Sequence, residues 1–140
     1  MISEHDMRLL VEWWQGRLLL QDWDLRLYFS ELEDQQEADC EALPEYRRAC
    51  LRFDLSQITM EKAAWYVVHE LMHCHVEPLA RHSNRVIEEA DPAGAGLVKK
   101  FALDYEEGLV SDLATILVRM AEHDHRGVRG SGDGEAQSPS

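Results

Sequence analysis

Apolar residues recur every three to four positions in three stretches of the chain, which predicts three amphipathic helices. The first helix is expected over residues 4–20, with Ser3 as its N-cap. The second follows Thr59, which can cap it, and is expected to run toward Pro78. The third is expected over about residues 98–122, with its leucines on one face.

Polar and apolar residues alternate between the first two helical patterns, and a period of two predicts strands. Residues 23–29 and 49–55 each show this alternation. Residues 38–42 predict a shorter strand, which a turn at residues 43–46 would join to the strand at 49–55 as a hairpin. The expected fold class is therefore α+β, with a small three-stranded antiparallel sheet between the first and second helices.

The length of the chain, 140 residues, corresponds to one domain. Residues 79–95 are rich in charge and end in Asp-Pro-Ala-Gly-Ala, which predicts a loop between the second and third helices. The last residues of the chain have almost no apolar side chains. We therefore expect a single domain over residues 1–122 and a disordered tail over residues 123–140.

Composition and charge indicate which partners the protein can bind and in which compartment it is expected. With 27 acidic and 14 basic residues the net charge is −13, which disfavours binding to nucleic acid. No apolar run approaches the roughly 20 residues that cross a bilayer, and the N-terminus has no pattern of a secretory signal. Three cysteines, Cys40, Cys50 and Cys74, have no disulfide spacing and are expected to be free thiols. These features predict a cytoplasmic protein without a membrane span.

One motif carries candidate chemistry: His69-Glu70-Leu-Met-His73, an H-E-x-x-H sequence within the second predicted helix. Four residues advance an α-helix by about 400°, so the two imidazoles share one face, one turn apart, and suit a single tetrahedral cation. Glu70 lies beside them, where its carboxylate can take a proton from water held by the metal and return it to a leaving amine. Glu70 is therefore the candidate catalytic residue of a hydrolase.

A catalytic zinc site takes three protein ligands, so the two histidines need a third. The metzincin pattern requires a histidine at the position of Leu79, which excludes that subclass. His75 comes two residues after His73 and is expected to point away from the pair on a helix. His82, beyond Pro78, is a further candidate ligand.

The third predicted helix supplies acidic candidates for the third ligand. They are Asp104, Glu106, Glu107 and Asp112. Glu106 falls nearest to the middle of the apolar stripe, where a carboxylate is costly unless a cation accompanies it. Burial by itself therefore favours Glu106, and the pattern of residues leaves the choice between Glu106 and Glu107 open.

The motif at residues 69–73, followed by Glu107-Gly-Leu-Val-Ser-Asp-Leu-Ala114, resembles a minimal gluzincin, the group of zinc peptidases with two His ligands and one Glu ligand. It is similar to the IrrE/ImmA-like metallopeptidases and to small phage or prophage metallopeptidases. In that pattern a polar residue, an apolar residue and a small residue follow the ligand Glu, as Ser111, Leu113 and Ala114 do here. Val110 departs from the small residue of the pattern.

The resemblance covers residues 4–120 and has several implications. It implies a zincin-like domain in which His69, His73 and Glu107 bind Zn²⁺, and a peptidase whose substrate is a protein or peptide. In zincins an extended peptide lies along a sheet edge beside the metal helix, which makes the strand at 38–42 the candidate docking edge. Gluzincins also use a Tyr or His to stabilise the oxyanion; the tyrosines that we consider are Tyr46, Tyr66 and Tyr105.

A second hypothesis comes from the small size of the chain, which leaves little material for a walled substrate cleft. In it the same residues bind zinc for stability, and the domain is a non-catalytic module for protein interaction. The two hypotheses differ in what happens when the metal is removed. A structural zinc is needed for folding, whereas a catalytic zinc is needed for activity.

Overall fold

Three helices and three strands make up the fold in this computed structural model, which describes residues 1–90 and 92–130. The helices are α1 (Glu4–Arg17), α2 (Met60–Ala90) and α3 (Ala95–Gly130); the strands are β1 (Asp24–Phe29), β2 (Ala38–Leu43) and β3 (Arg48–Phe53). The predicted α+β class and the order of the elements are confirmed. Single 3₁₀ turns at Glu33–Gln35 and Pro44–Tyr46 precede and follow β2.

The sheet is mixed, with strand order β1-β3-β2, so the prediction of an antiparallel sheet is wrong in part. The predicted hairpin is confirmed, since β2 and β3 pair antiparallel. However, β3 lies between the other two strands and pairs parallel with β1. The parallel register places Leu27 beside Leu51 and Phe29 beside Phe53, whose rings stack with their centroids 6.4 Å apart. Alternation specifies which side chains face the core, but it is the same for parallel and antiparallel partners.

The core forms where α1 and α2 pack against one face of this sheet. The largest fully buried side chains are Phe53, Met7, Leu20, Leu51 and Leu71. Alternate residues of β3 face this core, and α2 contributes a stripe at helical spacing. Burial of this stripe holds α2 against the sheet, and the H-E-x-x-H motif lies on the same stretch of α2.

The first helix begins as predicted and ends three residues early. The backbone N–H of Asp6 donates to the Oγ of Ser3 at 3.1 Å, which is the predicted N-cap. The helix ends at Arg17 because Leu19 adopts a left-handed backbone with φ of 59°. Leu20 then turns into the core, so its apolar side chain belongs to the connection that follows α1 rather than to the helix itself.

The second helix continues twelve residues beyond Pro78 to Ala90, so the prediction of a helix end at Pro78 is wrong. The predicted loop is wrong for residues 79–90, which are helical, and confirmed at residues 92–94, which form a turn before α3. Proline removes one backbone hydrogen bond and crowds the preceding turn. Interactions of Arg81 offset this loss, since its guanidinium donates to the carbonyl of Ala42 at 2.9 Å and to the carboxylates of Glu45 and Glu77. These contacts hold the helix beyond Pro78 against the end of β2.

The third helix begins at Ala95, earlier than predicted, and packs along α2 in the opposite direction. Its helical backbone continues to Gly130, so residues 123–130 of the predicted tail are helical; residues 131–140 lie outside the described residues. None of the described helices combines the length and apolar character that crossing a membrane requires.

Candidate metal centre

The second helix places both histidines of the H-E-x-x-H motif on its face toward α3. His69 and His73 are one turn apart, with ring centroids separated by 5.2 Å. Their side chains are 11% and 13% exposed. Two imidazoles are thus held close together at the edge of the core, where the packing of α2 limits their freedom to move.

The carboxylate of Glu107 on α3 completes the group. Its Oε2 lies 3.3 Å from Nε2 of His69, and its Oε1 lies 3.3 Å from Nε2 of His73. One ligand atom from each of the three residues can be chosen so that all lie within 4.8 Å of one another. Two imidazole nitrogens and one carboxylate form a donor set that suits a catalytic metal ion, and the spacing fits a single one. The three residues can therefore hold a metal ion.

Contacts between α2 and α3 hold Glu107 opposite the histidines. The indole Nε1–H of Trp65 donates to the Oγ1 of Thr115 at 3.0 Å, and Thr115 donates in turn to the backbone carbonyl of Ser111. The indole of Trp65 also packs on the ring of His69, with centroids 4.9 Å apart. Trp65 therefore orients one imidazole and fixes the position of α3 at the same time.

Each imidazole has a second partner at its Nδ1 atom. The Oγ of Ser111 lies 3.4 Å from Nδ1 of His69, and Oε1 of Glu106 lies 3.6 Å from Nδ1 of His73. With Nε2 directed at a metal, Nδ1 carries the proton, and such outer partners fix the orientation of the ring. Ser111 follows Glu107 by four residues and so shares its helix face, which is the sequence signal for this role.

Burial and resemblance favour different glutamates of α3 as the third ligand: burial favours Glu106, and the resemblance favours Glu107. The side chain of Glu106 is 13% exposed and that of Glu107 is 48% exposed, so Glu106 is the more buried, as its position in the apolar stripe predicted. The carboxylate of Glu107 nevertheless contacts both histidines through their Nε2 atoms. Burial of Glu106 reflects its position beside His73 at the α2–α3 contact. Burial raises the pKa of the Glu106 carboxyl, and nearby Glu77 raises it further.

Glu70 lies between the histidines in sequence and is the most buried carboxylate of the site, with 5% of its surface exposed. Burial raises the pKa of Glu70 to about 8, and the charges of Glu107 and Asp39 contribute to the rise. Burial also lowers the pKa of His69, so that this imidazole is neutral and ready to donate its lone pair to a metal. The centre thus combines a neutral ligand with a carboxyl group that titrates near neutral pH.

A cleft of about 390 Å³ opens in front of the centre, between α2, α3 and β2. Its lining includes Ala38, Asp39 and Cys40 of β2, and Gln36, which lies two residues before this strand. β2 is an edge strand of the described sheet, and three of its residues line the cleft. This is the strand that the resemblance to zincins implied as the docking edge.

The cleft is acidic. Five carboxylates line it, those of Asp39, Glu70, Glu77, Glu106 and Glu107, and among the described lining residues none is a lysine or an arginine. Arg52 pairs with Asp39, and Arg81 pairs with Glu77. The remaining carboxyl groups, those of Glu70, Glu106 and Glu107, surround the two histidines. A cation at this point would relieve the repulsion among these carboxylates.

The described group of residues that can hold a metal does not include His75, His82 or Cys74. His75 points toward the end of α1, as predicted, and its Nε2–H donates to the carbonyl of Leu18 at 2.7 Å. His82 is exposed on α2, and the described group that can hold a metal does not include it. Cys74 is buried, as expected of a small apolar residue. The thiols of Cys40, Cys50 and Cys74 are free, which agrees with the sequence.

No tyrosine lines the described part of the cleft. Tyr46 is 72% exposed. Tyr66 contacts Glu37, and both burial and this carboxylate raise the pKa of its phenol. Tyr105 lines a neighbouring groove. Gln36 and Asn84 line the cleft and are its neutral amide donors, and sequence analysis did not single them out.

The two glutamates of α3 can be separated by titrating zinc into purified variants. Glu107→Gln removes a ligand oxygen and is expected to weaken zinc binding more than about 100-fold, whereas Glu106→Gln removes an outer partner and should weaken it about 10- to 100-fold. Asp112→Asn, an exposed change on the same helix, is the control and should leave the affinity unchanged. Isothermal titration calorimetry measures all three. A larger loss from Glu106→Gln than from Glu107→Gln would contradict the assignment.

The stability of the metal-free protein should report the buried carboxyl of Glu70. Its pKa rises from 4.5 to about 8 on folding, so between these pH values the folded state holds a proton that the unfolded state releases. Stability therefore falls as the pH rises through this range. Glu70→Gln cannot ionise and should be more stable than the wild type at pH 8.5, by on the order of a few kcal/mol, with the difference vanishing near pH 4.

Urea denaturation of both proteins with a chelator present, at a series of pH values, measures this difference. The control is Glu61→Gln, an exposed residue in the first turn of α2, which should follow the wild-type profile. A constant difference between Glu70→Gln and the wild type across the pH range would show that Glu70 is not desolvated in the folded protein.

Comparison with known proteins gave no match, whether with protein-family models, with curated proteins or with solved structures. The interpretation of the centre therefore depends on its residues: the spacing of His69 and His73 on one helix, the carboxylate of Glu107 across from both, and Glu70 buried in the same cleft. Together these residues make a candidate metal centre in an α+β fold.

Proposed function

We propose that this protein is a zinc-dependent peptidase in which His69, His73 and Glu107 hold the metal and Glu70 is the general base and acid. The observation that carries the proposal is the convergence of two Nε2 atoms on one carboxylate, within a cleft that also contains a buried glutamate. A purely structural zinc site is usually closed by four protein ligands. Here three ligand residues face an open cleft, which is the arrangement that hydrolysis needs.

Zinc is the metal that this donor set favours. Two neutral imidazoles and one carboxylate are a common ligand set of catalytic zinc, whereas Mg²⁺ and Ca²⁺ prefer oxygen ligands alone. When bound, zinc supplies Lewis-acid chemistry: it lowers the pKa of water and polarises a carbonyl group. Zinc would also compensate the negative charge around Glu70 and Glu107.

Glu70 moves the proton in this proposal. As a carboxylate, it accepts a proton from the attacking water and transfers it to the nitrogen of the leaving amine, so that the group ends each turnover in its initial state. In the metal-free protein, burial raises the pKa of Glu70 to about 8. A nearby cation would stabilise the ionised form and so bring its pKa back toward the usual range.

The substrate in this proposal is a peptide in extended conformation. β2 is an edge strand beside the cleft, so its unpaired backbone groups can pair with a peptide chain in the manner of an added strand. Such pairing depends little on side chains and would present a backbone carbonyl to the centre. The amide groups of Gln36 and Asn84 line the same cleft and can donate hydrogen bonds to substrate carbonyls.

Glu70→Gln tests the role of the general base. The variant should fold and bind zinc as the wild type does, and its kcat should fall about 10²- to 10⁴-fold, because a neutral amide cannot accept the proton. Cleavage of a casein-derived peptide mixture, followed by mass spectrometry, measures the loss. Glu61→Gln is the control and should keep full activity.

Two results would contradict this proposal. If removal of zinc by a chelator unfolds the protein while Glu70→Gln changes no measured property, zinc has a structural role and the domain is a binding module. Peptide cleavage that persists at the wild-type rate in Glu70→Gln would equally exclude the mechanism.

Peptide analogues with single N-methylated backbone nitrogens test the docking edge without changing the protein. If the substrate pairs with β2, methylation should raise KM at alternate positions, by about tenfold where an N–H would donate to the strand, because only every second N–H faces the partner strand. Positions in between should tolerate the methyl group. Equal sensitivity at every position, or at none, would contradict strand pairing.

A further inference from the structure

A second concavity, the apolar groove, lies between the later turns of α2 and the first turns of α3. Its volume is about 480 Å³, within the range of roughly 300–1,000 Å³ in which small ligands bind. The side chains that line it are largely aliphatic or aromatic and include Val76, Leu79, Val98, Phe101, Leu103 and Leu109. Its lining thus contrasts with the acidic cleft at the metal centre.

The apolar groove adjoins the acidic cleft. Ala80, Asn84, Leu103 and Glu106 line both. Glu106 contacts His73 at one end of this shared boundary. A ligand at the metal centre therefore has only these shared residues between it and the groove.

Several large apolar side chains of the groove are open to solvent. Leu79 is 69% exposed, Phe101 is 65% exposed and Tyr105 is 77% exposed. An isolated exposed apolar residue is ordinary, but a contiguous group beside a polar site is typical of a binding surface. The extension of α2 beyond Pro78 builds one wall of this surface, since Leu79 and Ala80 follow the proline.

We propose that the apolar groove binds one large aliphatic or aromatic side chain of the peptide substrate, and so determines which bonds are cleaved. This inference depends on the proposed function, because it gives the substrate class of the same centre. The lining residues that the groove shares with the cleft favour a substrate side chain over an unrelated occupant. The acidic cleft itself offers little apolar surface, so discrimination between apolar and small side chains comes from the groove.

Peptide hydroxamates test this inference by binding rather than by turnover. A hydroxamate group coordinates zinc, so a tripeptide hydroxamate remains at the centre and can be titrated by calorimetry. The reference ligand has three alanines, and in three further ligands phenylalanine replaces alanine at each position in turn. Zinc-loaded wild-type protein should bind one of these at least about tenfold more tightly than the reference, because that phenyl ring leaves water for the groove.

Two variants test whether the gain in affinity from phenylalanine comes from the groove. Phe101→Ser removes apolar surface from an exposed position, so it should leave the fold intact, and Ala102→Trp fills the groove from α3. In both, the preference for phenylalanine should fall below about threefold, while the affinity for the all-alanine ligand stays the same. Met120→Ser is the control: its residue is 58% exposed on the same helix, outside the groove, and the preference should persist.

The outcomes separate the groove from the metal centre. If all four hydroxamates bind with similar affinity, or if the preference survives in both groove variants, the groove proposal is wrong and the zinc centre is supported. If none of them binds to protein that has taken up zinc, the open metal centre is wrong, and with it both the proposed function and the groove.

Discussion

The packing of α3 against α2 determines whether this molecule has a metal centre at all. The H-E-x-x-H motif supplies two imidazoles from one helix, but the third ligand is 34 residues further along the chain. The hydrogen bond from Trp65 to Thr115 and the contact of Ser111 with His69 fix the register of the two helices. In that register Glu107 faces both Nε2 atoms. A shift of α3 by one turn would move Glu107 about 5.4 Å along the helix axis, away from the two histidines.

The electrostatics of the cleft depend on the same packing. The helix contact and the sheet together bury Glu70 and bring Glu106 and Glu107 near it, which is unfavourable for a folded protein without a cation. The lowered pKa of His69 means that this imidazole gives little compensating positive charge. The metal-free fold therefore accommodates a cluster of carboxyl groups whose ionisation is unfavourable, and a divalent ion would stabilise their ionised forms. Lower local stability of this kind is typical of a functional site.

Much of the helical architecture and part of the centre could be predicted from the sequence. The i, i+4 spacing alone places His69 and His73 on one face, and the same geometry directs His75 away. The resemblance favoured Glu107 as the third ligand, whereas the position in the apolar stripe favoured Glu106. In the structure, Glu106 is the more buried because it lies at the contact between α2 and α3, and Glu107 is the one whose carboxylate faces the two Nε2 atoms. Pairing between β1 and β3 could not be predicted, because alternation does not specify strand direction. The continuation of α2 beyond Pro78 could not be predicted either, because it depends on contacts of Arg81 with residues distant in sequence.

The most direct test of the account is a diffraction experiment on crystals grown with zinc, recorded on both sides of the zinc absorption edge. The account predicts one anomalous peak per chain, bonded to Nε2 of His69, Nε2 of His73 and the carboxylate of Glu107 at about 2.0–2.2 Å, with Glu70 near the metal but not bonded to it. Zinc bonded to Glu106 or His82 in place of Glu107, or crystals that contain no zinc at this position, would contradict it.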